Sequence, residues 1–167
     1  MCSSDLDEAK QSHGIVGGPF TAYIRLPKLF EATQNLRACM SSGPLTRREQ
    51  QILNITIARH FNARYPWHAQ VRGSLAAGIE RPIIDAINAR RPPDLPDLRE
   101  RTCFATATEL LNNKGLSDAS YAAAEKTLGL KDLVAVVASV GNFSMTCLTA
   151  NTFSIDPPAD DPIPLAP

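Results

Sequence analysis

Between Ala58 and Ile79 the chain reads ARHFNARYPWHAQVRGSLAAGI, a stretch that gathers arginines, two histidines, a tyrosine and a tryptophan around one proline. His60 and His68 ordinarily titrate near neutrality, so either can carry a proton at physiological pH. His68, beside Trp67 where a planar molecule could stack, is the first choice for acid-base work. His60 equally suits the end of a helix, facing its negative dipole end. Tyr65 offers a hydrogen bond to a developing oxyanion. Arg59 and Arg64 are spaced to hold a small organic acid, because a guanidinium matches a carboxylate with two parallel hydrogen bonds. Gln70 can orient a carbonyl but cannot move protons at pH 7. Each residue has a plainer reading as well. The arginines fit a solvated face, the histidines a packing role, Tyr65 an anchor for a helix start, and Trp67 a core position.

Placing these groups requires a break in the backbone. Pro66 is excluded from a helix interior but tolerated in a first turn, so one helix should end near His60 and another should begin near Tyr65. Unpaired amides at residues 67 to 69 would then face the gap and favour an anion there. The upstream helix has its own start signal: Thr46 and Glu49 form a capping box. Its apolar residues Ile52, Leu53, Ile55 and Ile57 cover most of its circumference, as in a central helix.

Further helices are expected at about 27–40, 82–90, 97–113 (closed by Gly115), 117–129 and 131–153. The first should bury Leu29, Phe30, Leu36 and Cys39. The helix after Pro66 should bury Trp67, Val71, Leu75 and Ala76. The last is apolar almost all round but too polar after Gly141 for a membrane span, so it belongs in the core or at a subunit contact. Its Asn142 and Met145 are weaker candidates for lining a pocket. No segment alternates as a strand does. The chain thus reads as all-α, with a loose arm at 1–18, a helical domain at 19–155 and a proline-rich tail at 156–167 that could lie along a partner.

A length of 167 residues suits one domain. Seventeen basic side chains balance 17 acidic ones, so no net field draws the chain to nucleic acid. The four cysteines, Cys2, Cys39, Cys103 and Cys147, are scattered, with no CxxC pair and no histidine at metal-ligand spacing. Neither metal nor cofactor is expected. The polar start MCSSDLDEAK is unlike a secretory signal, which points to the cytoplasm.

The run GPLTRREQQILNITIARHFNARYPWHAQVRGSLAAGI, a short Ile-rich helix, and VVASVGNFSMTCLTANTF near the end together resemble the carboxymuconolactone decarboxylase-like branch of the alkylhydroperoxidase-D-like superfamily. The resemblance spans about residues 20–155. It implies an AhpD-like helical bundle of about six to seven helices, assembled as a trimer or hexamer, with pockets near subunit contacts. It also implies a small-molecule substrate, a lactone or carboxylate, with no nucleic acid and no membrane partner. In the peroxidase branch a glutamate, a CxxC pair and a histidine fall at positions occupied here by Arg59, Ala63, Pro66 and Gln70. None matches, and a thiol relay needs two thiols, so thiol peroxidase activity is disfavoured. The decarboxylase-like branch keeps a tyrosine and tryptophan where Tyr65 and Trp67 stand. Its acidic residue and histidine are replaced by Pro66 and Gln70. Two functions follow as expectations: a cofactor-free lyase or isomerase acting on a small lactone or cyclic carboxylate, or a non-catalytic oligomeric small-molecule-binding protein that has lost the catalytic residues.

Overall fold

The computed structural model describes residues 17–167, which form eight helices and no strand. They are α1 Phe20–Tyr23, α2 Pro27–Ser41, α3 Arg47–His60, α4 Arg64–Ala76, α5 Arg81–Asn88, α6 Leu98–Asn113, α7 Asp118–Leu128 and α8 Leu130–Thr152. Apart from Gly17 and Gly18, the arm expected at 1–18 lies outside the described residues.

Helix α3 is the centre of the bundle, packed by α4, α5, α6 and α8. Ile52, Leu53, Ile55 and Ile57 are all fully buried, as an all-round apolar helix requires. Its start is the expected capping box: the Glu49 amide donates to Thr46 Oγ1 at 3.1 Å and the Thr46 amide donates to Glu49 Oε2 at 2.7 Å. Glu49 is only 2% exposed, and its other oxygen accepts from Arg99 Nε of α6 at 2.8 Å. Arg99 also donates through Nη2 to Asp132 of α8 at 2.7 Å. A buried charge is tolerated only when paired and hydrogen-bonded. One carboxylate thereby starts α3 and fastens it to α6, with α8 tied in through Arg99.

Four helices end on left-handed residues other than glycine, and in three of them Asn62 (φ 49°), Arg90 (φ 55°) and Ser154 (φ 48°) close α3, α5 and α8. After α3, the Ala63 amide reaches the Ala58 carbonyl at 2.9 Å and the Asn62 amide the Arg59 carbonyl at 3.2 Å, which is the Schellman pattern. Helix α6 likewise closes on Lys114 (φ 66°) and not on Gly115, because the Lys114 amide reaches back to the Leu110 carbonyl at 2.9 Å.

Two expected inner faces are only partly buried. In α2, Phe30 is covered, but Leu29, Leu36 and Cys39 are exposed, since this helix packs chiefly on the short α1 and leans away from the bundle. In α4, Trp67 and Val71 are buried, whereas Leu75 and Ala76 are exposed and Ser74 takes the inner position. Helix α8 is long and apolar enough to cross a membrane by length and composition. In the fold one side packs on α3, α4, α6 and α7, while Leu130, Val134, Val137 and Leu148 stand exposed on the helix.

The tail doubles back along its own chain. Ile163 is buried, its carbonyl accepts from Trp67 Nε1 at 2.8 Å, and the Pro164 carbonyl accepts from Asn88 Nδ2 at 2.9 Å. The Ala166 amide donates to Asn88 Oδ1 at 2.8 Å. Arg64 pairs with Asp156 at 2.8 Å, and Arg72 pairs with Asp160. The tail is therefore a strap over α4 and the end of α5.

Candidate functional site

The structure sends the residues of the 58–79 cluster to different places. Successive residues on a helix step by about 100°, so neighbours in sequence look in different directions. Tyr65 and Gln70 face a cavity of about 670 Å³ bounded by α1, α2, α3, α4 and α8, together with Asn142 and Met145 from α8. Trp67 and His68 turn the other way and lie beneath the tail, each at most 5% exposed. Arg59 and His60 line a second cavity of about 250 Å³. Arg64 lies on the surface.

Helix α4 begins at Arg64, two residues before Pro66, which moves its free donors. The Trp67 amide bonds to the Ala63 carbonyl at 2.9 Å, so it is not the unpaired donor expected from the sequence. Beneath the tail, His68 Nδ1 lies 3.3 Å from Asp161 Oδ1 but forms no aligned hydrogen bond and has no other partner among the described residues.

In the larger cavity the polar lining combines the carboxamides of Gln50, Gln51, Asn54, Gln70 and Asn142 with hydroxyl side chains and two arginines. Gln50 Nε2 donates to the carbonyls of Met40 and Leu45, both at 3.1 Å, and Asn54 Nδ2 donates to Gln70 Oε1 at 3.2 Å. The Asn54 oxygen, the Gln70 NH₂ and the whole Asn142 carboxamide have no protein partner among the described residues, so they remain available to a ligand. Phe20, Tyr23, Phe143 and Met145 supply apolar walls, and the exposed Arg37 and Arg47 stand at the rim. The Tyr65 ring lies so close to Gly18, itself at φ 58°, that an added Cβ would sit 2.2 Å from Tyr65 Cε1. Glycine there shapes the wall. No histidine, aspartate or glutamate among the described residues lines this cavity.

The second cavity is formed by the ends of α3 and α5, the connection after α5, and α6. Arg90, Arg91 and Pro92 join Arg59 and His60 there, with Ile87, Phe104 and Leu111 as apolar wall. Burial lowers the pKa of His60, helped by the positive charges of Lys114 and Arg90. Arg90 and Arg91 were not singled out by the sequence. Their only local signal is an RRPP run after a short helix, which reads equally as a solvated charge pair.

The positions that the resemblance aligns with the peroxidase relay carry no thiol, and two of the three thiols among the described residues are buried. Burial pushes both Cys103 and Cys147 up to about 12, while Cys39 is exposed. At pH 8 only about one in ten thousand Cys103 or Cys147 side chains would be thiolate, from the pKa of about 12. Iodoacetamide at that pH is expected to alkylate Cys39 in the folded protein and to reach Cys103 and Cys147 only in denaturant, as read by peptide mass spectrometry. Alkylation of either buried thiol under native conditions would contradict this.

No family model and no curated protein matches the sequence. Solved structures do. The chain is similar to the alkylhydroperoxidase AhpD core of an uncharacterized peroxidase-related protein from Ralstonia eutropha JMP134, at a TM-score of 0.74 and 19% identity, over 96% of this chain and 89% of that one. It is also similar to an uncharacterized peroxidase-related protein from Silicibacter sp. TM1040, at a TM-score of 0.76 and 15% identity, over 98% of this chain and 87% of that one. These likenesses show the fold: the chain is an AhpD-like all-helical bundle.

Proposed function

We propose, on the premise of that AhpD-like fold, that the protein is a non-catalytic binder of small cyclic molecules and holds them in the larger cavity. One observation carries the reading. The cavity offers unpaired carboxamide donors and acceptors from Asn54, Gln70 and Asn142, apolar walls, and no imidazole or carboxylate among the described residues to move a proton. A lactone or cyclic carboxylate fits this chemistry. Its carbonyl oxygens would accept from Gln70 and Asn142, its ring would rest on Phe143 and Met145, and an acid group would reach Arg37 or Arg47 at the rim.

The lyase or isomerase reading needs a histidine at the ligand. Neither His60 nor His68 lines the larger cavity. That reading keeps one supporting feature, His60 beside Arg59 in the smaller cavity.

The test is a panel of lactones and cyclic carboxylates, scored in parallel for turnover and for thermal stabilisation. A ligand at 100 times its Kd adds about 2.7 kcal/mol, which raises Tm by roughly 5–10 °C in a domain of this size. Gln70→Leu and Asn142→Leu are expected to remove that rise, and Arg64→Ala, on the surface, to keep it. Turnover abolished by His60→Gln would instead establish the lyase. Stabilisation that survives both cavity variants would overturn the assignment of the site.

The protein is proposed to work as a homo-oligomer. Leu130, Val134 and Val137 follow one another at helical spacing on α8 and stand exposed, an apolar stripe of the kind that marks a subunit contact. A Val134→Glu, Val137→Glu double variant should elute as a folded monomer in light-scattering chromatography. An unchanged mass would move the contact elsewhere.

A further inference from the structure

We propose that the smaller cavity is a second binding site, separate in place and chemistry from the first, and that it takes a small organic anion: a carboxylate or phosphate head on a compact apolar body. The charge distribution carries this. Arg59, Arg90, Arg91 and His60 all line a space of about 250 Å³, and no aspartate or glutamate among the described residues lines it with them. Five other arginines, Arg48, Arg64, Arg72, Arg81 and Arg99, each pair with a carboxylate. Arg59, Arg90 and Arg91, like Arg25, Arg37, Arg47 and Arg101 elsewhere, pair with no aspartate or glutamate among the described residues, and these three converge on one small space.

Like charges held together repel. The structure nevertheless fixes two of them side by side: Asn62 Oδ1 accepts from both Arg59 Nη1 and, at 2.9 Å, Arg90 Nη2. Arg59 is only 5% exposed, and its Nε donates to the Asn88 carbonyl at 2.6 Å and its Nη2 to the Pro167 main-chain oxygen at 3.1 Å. Three of its five N–H donors are thus committed to holding it in place, and two remain. Burial, then the charge of Arg90, lowers the Arg59 pKa, so the guanidinium is held at a cost that a bound anion would relieve. Lys114 adds to the same positive field.

The remaining wall selects the body of the ligand. Ile87, Phe104 and Leu111 are apolar, and Pro92 closes one side. A bare inorganic anion would leave that surface facing water. A single-ring or short-chain acid would cover it while its head met the arginines. The volume excludes a peptide or nucleic-acid segment.

Four probes separate the elements of the proposal: benzoate, phenyl phosphate, inorganic phosphate and benzyl alcohol. Calorimetry on the wild type should show benzoate or phenyl phosphate binding at least about tenfold more tightly than inorganic phosphate or benzyl alcohol. Arg91→Gln, an exposed position whose change should not disturb folding, is expected to weaken the organic anion about tenfold. Gln70→Leu, in the other cavity, should leave the response of the His60 ring resonances to benzoate unchanged, so failure of this site is distinguishable from failure of the first. In the wild type the His60 ring resonances should report an upward-moved pKa when benzoate is bound. Equal binding by benzyl alcohol would remove the role of charge, and equal binding by inorganic phosphate the role of the apolar wall. Unchanged affinity in Arg91→Gln, or a His60 titration indifferent to benzoate, would overturn the site.

Discussion

Replacing Arg99 with alanine is expected to cost the fold about 3–5 kcal/mol, because it strands a buried carboxylate. Glu49 has 3% of its side chain exposed and Arg99 36%, so water entering in place of the arginine would reach the carboxylate without the positive charge that now approaches it at 2.8 Å. The loss acts at several points together: α3 loses the fixed geometry of its first turn, and the ties from Arg99 to α3 and to Asp132 of α8 disappear. Urea unfolding followed by far-ultraviolet circular dichroism measures the effect. The charge argument has its own control. Glu49→Gln added to Arg99→Ala keeps an acceptor for the Thr46 amide but removes the unpaired charge, so the double variant should be more stable than Arg99→Ala alone. A double variant no more stable than Arg99→Ala would mean that the unpaired charge is not what the single substitution costs, and that packing of the arginine stem holds the three helices together.

Trp67→Ala should be as damaging, at about 3–5 kcal/mol, for a different reason. The indole is fully buried in the main core cluster, and its removal leaves a void between α4 and α3 that the surrounding helices fill only in part. It also takes away the donor to the Ile163 carbonyl and with it a central anchor of the tail. Trp67→Phe separates these contributions, keeping most of the apolar volume and losing the N–H, for about 1 kcal/mol. Amide hydrogen exchange should then show residues 156–167 opening faster in Trp67→Phe while α3 stays protected. Equal protection of the tail in Trp67→Phe and the wild type would show that the hydrogen bond does not hold it. Because Trp67 is the sole tryptophan, circular dichroism and not intrinsic fluorescence must follow these variants.

Helix starts were legible because their signals are local. Thr46 with Glu49, and Ser117 ahead of α7, lie within one turn of the amides they satisfy. Helix ends were less so. Gly129 closes α7 as expected, but Asn62, Arg90, Lys114 and Ser154 take left-handed conformations that the sequence signals by glycine in most proteins.

The site was legible as composition and not as geometry. Tyr65, Gln70, Asn142 and Met145 do share a cavity, but His68 and Trp67 face the tail through contacts about a hundred residues distant, such as the 96-residue span from Trp67 to Ile163. No periodicity in the 58–79 stretch can report a partner so far along the chain. The arginine cluster escaped for the same reason: Arg59 and Arg90 meet only because α5 returns the chain to the end of α3.

A carboxamide offers the same donors and acceptors in weakly acidic and in neutral surroundings, whereas an imidazole does not. The chamber edged by Asn54, Gln70 and Asn142 would therefore present one unvarying interior to its contents as the medium acidified. The chamber beside His60 would pick up a positive charge over the same interval, below the ordinary histidine range. Two compartments of one small bundle would thus answer acidification differently, one indifferent and the other increasingly retentive toward negative solutes.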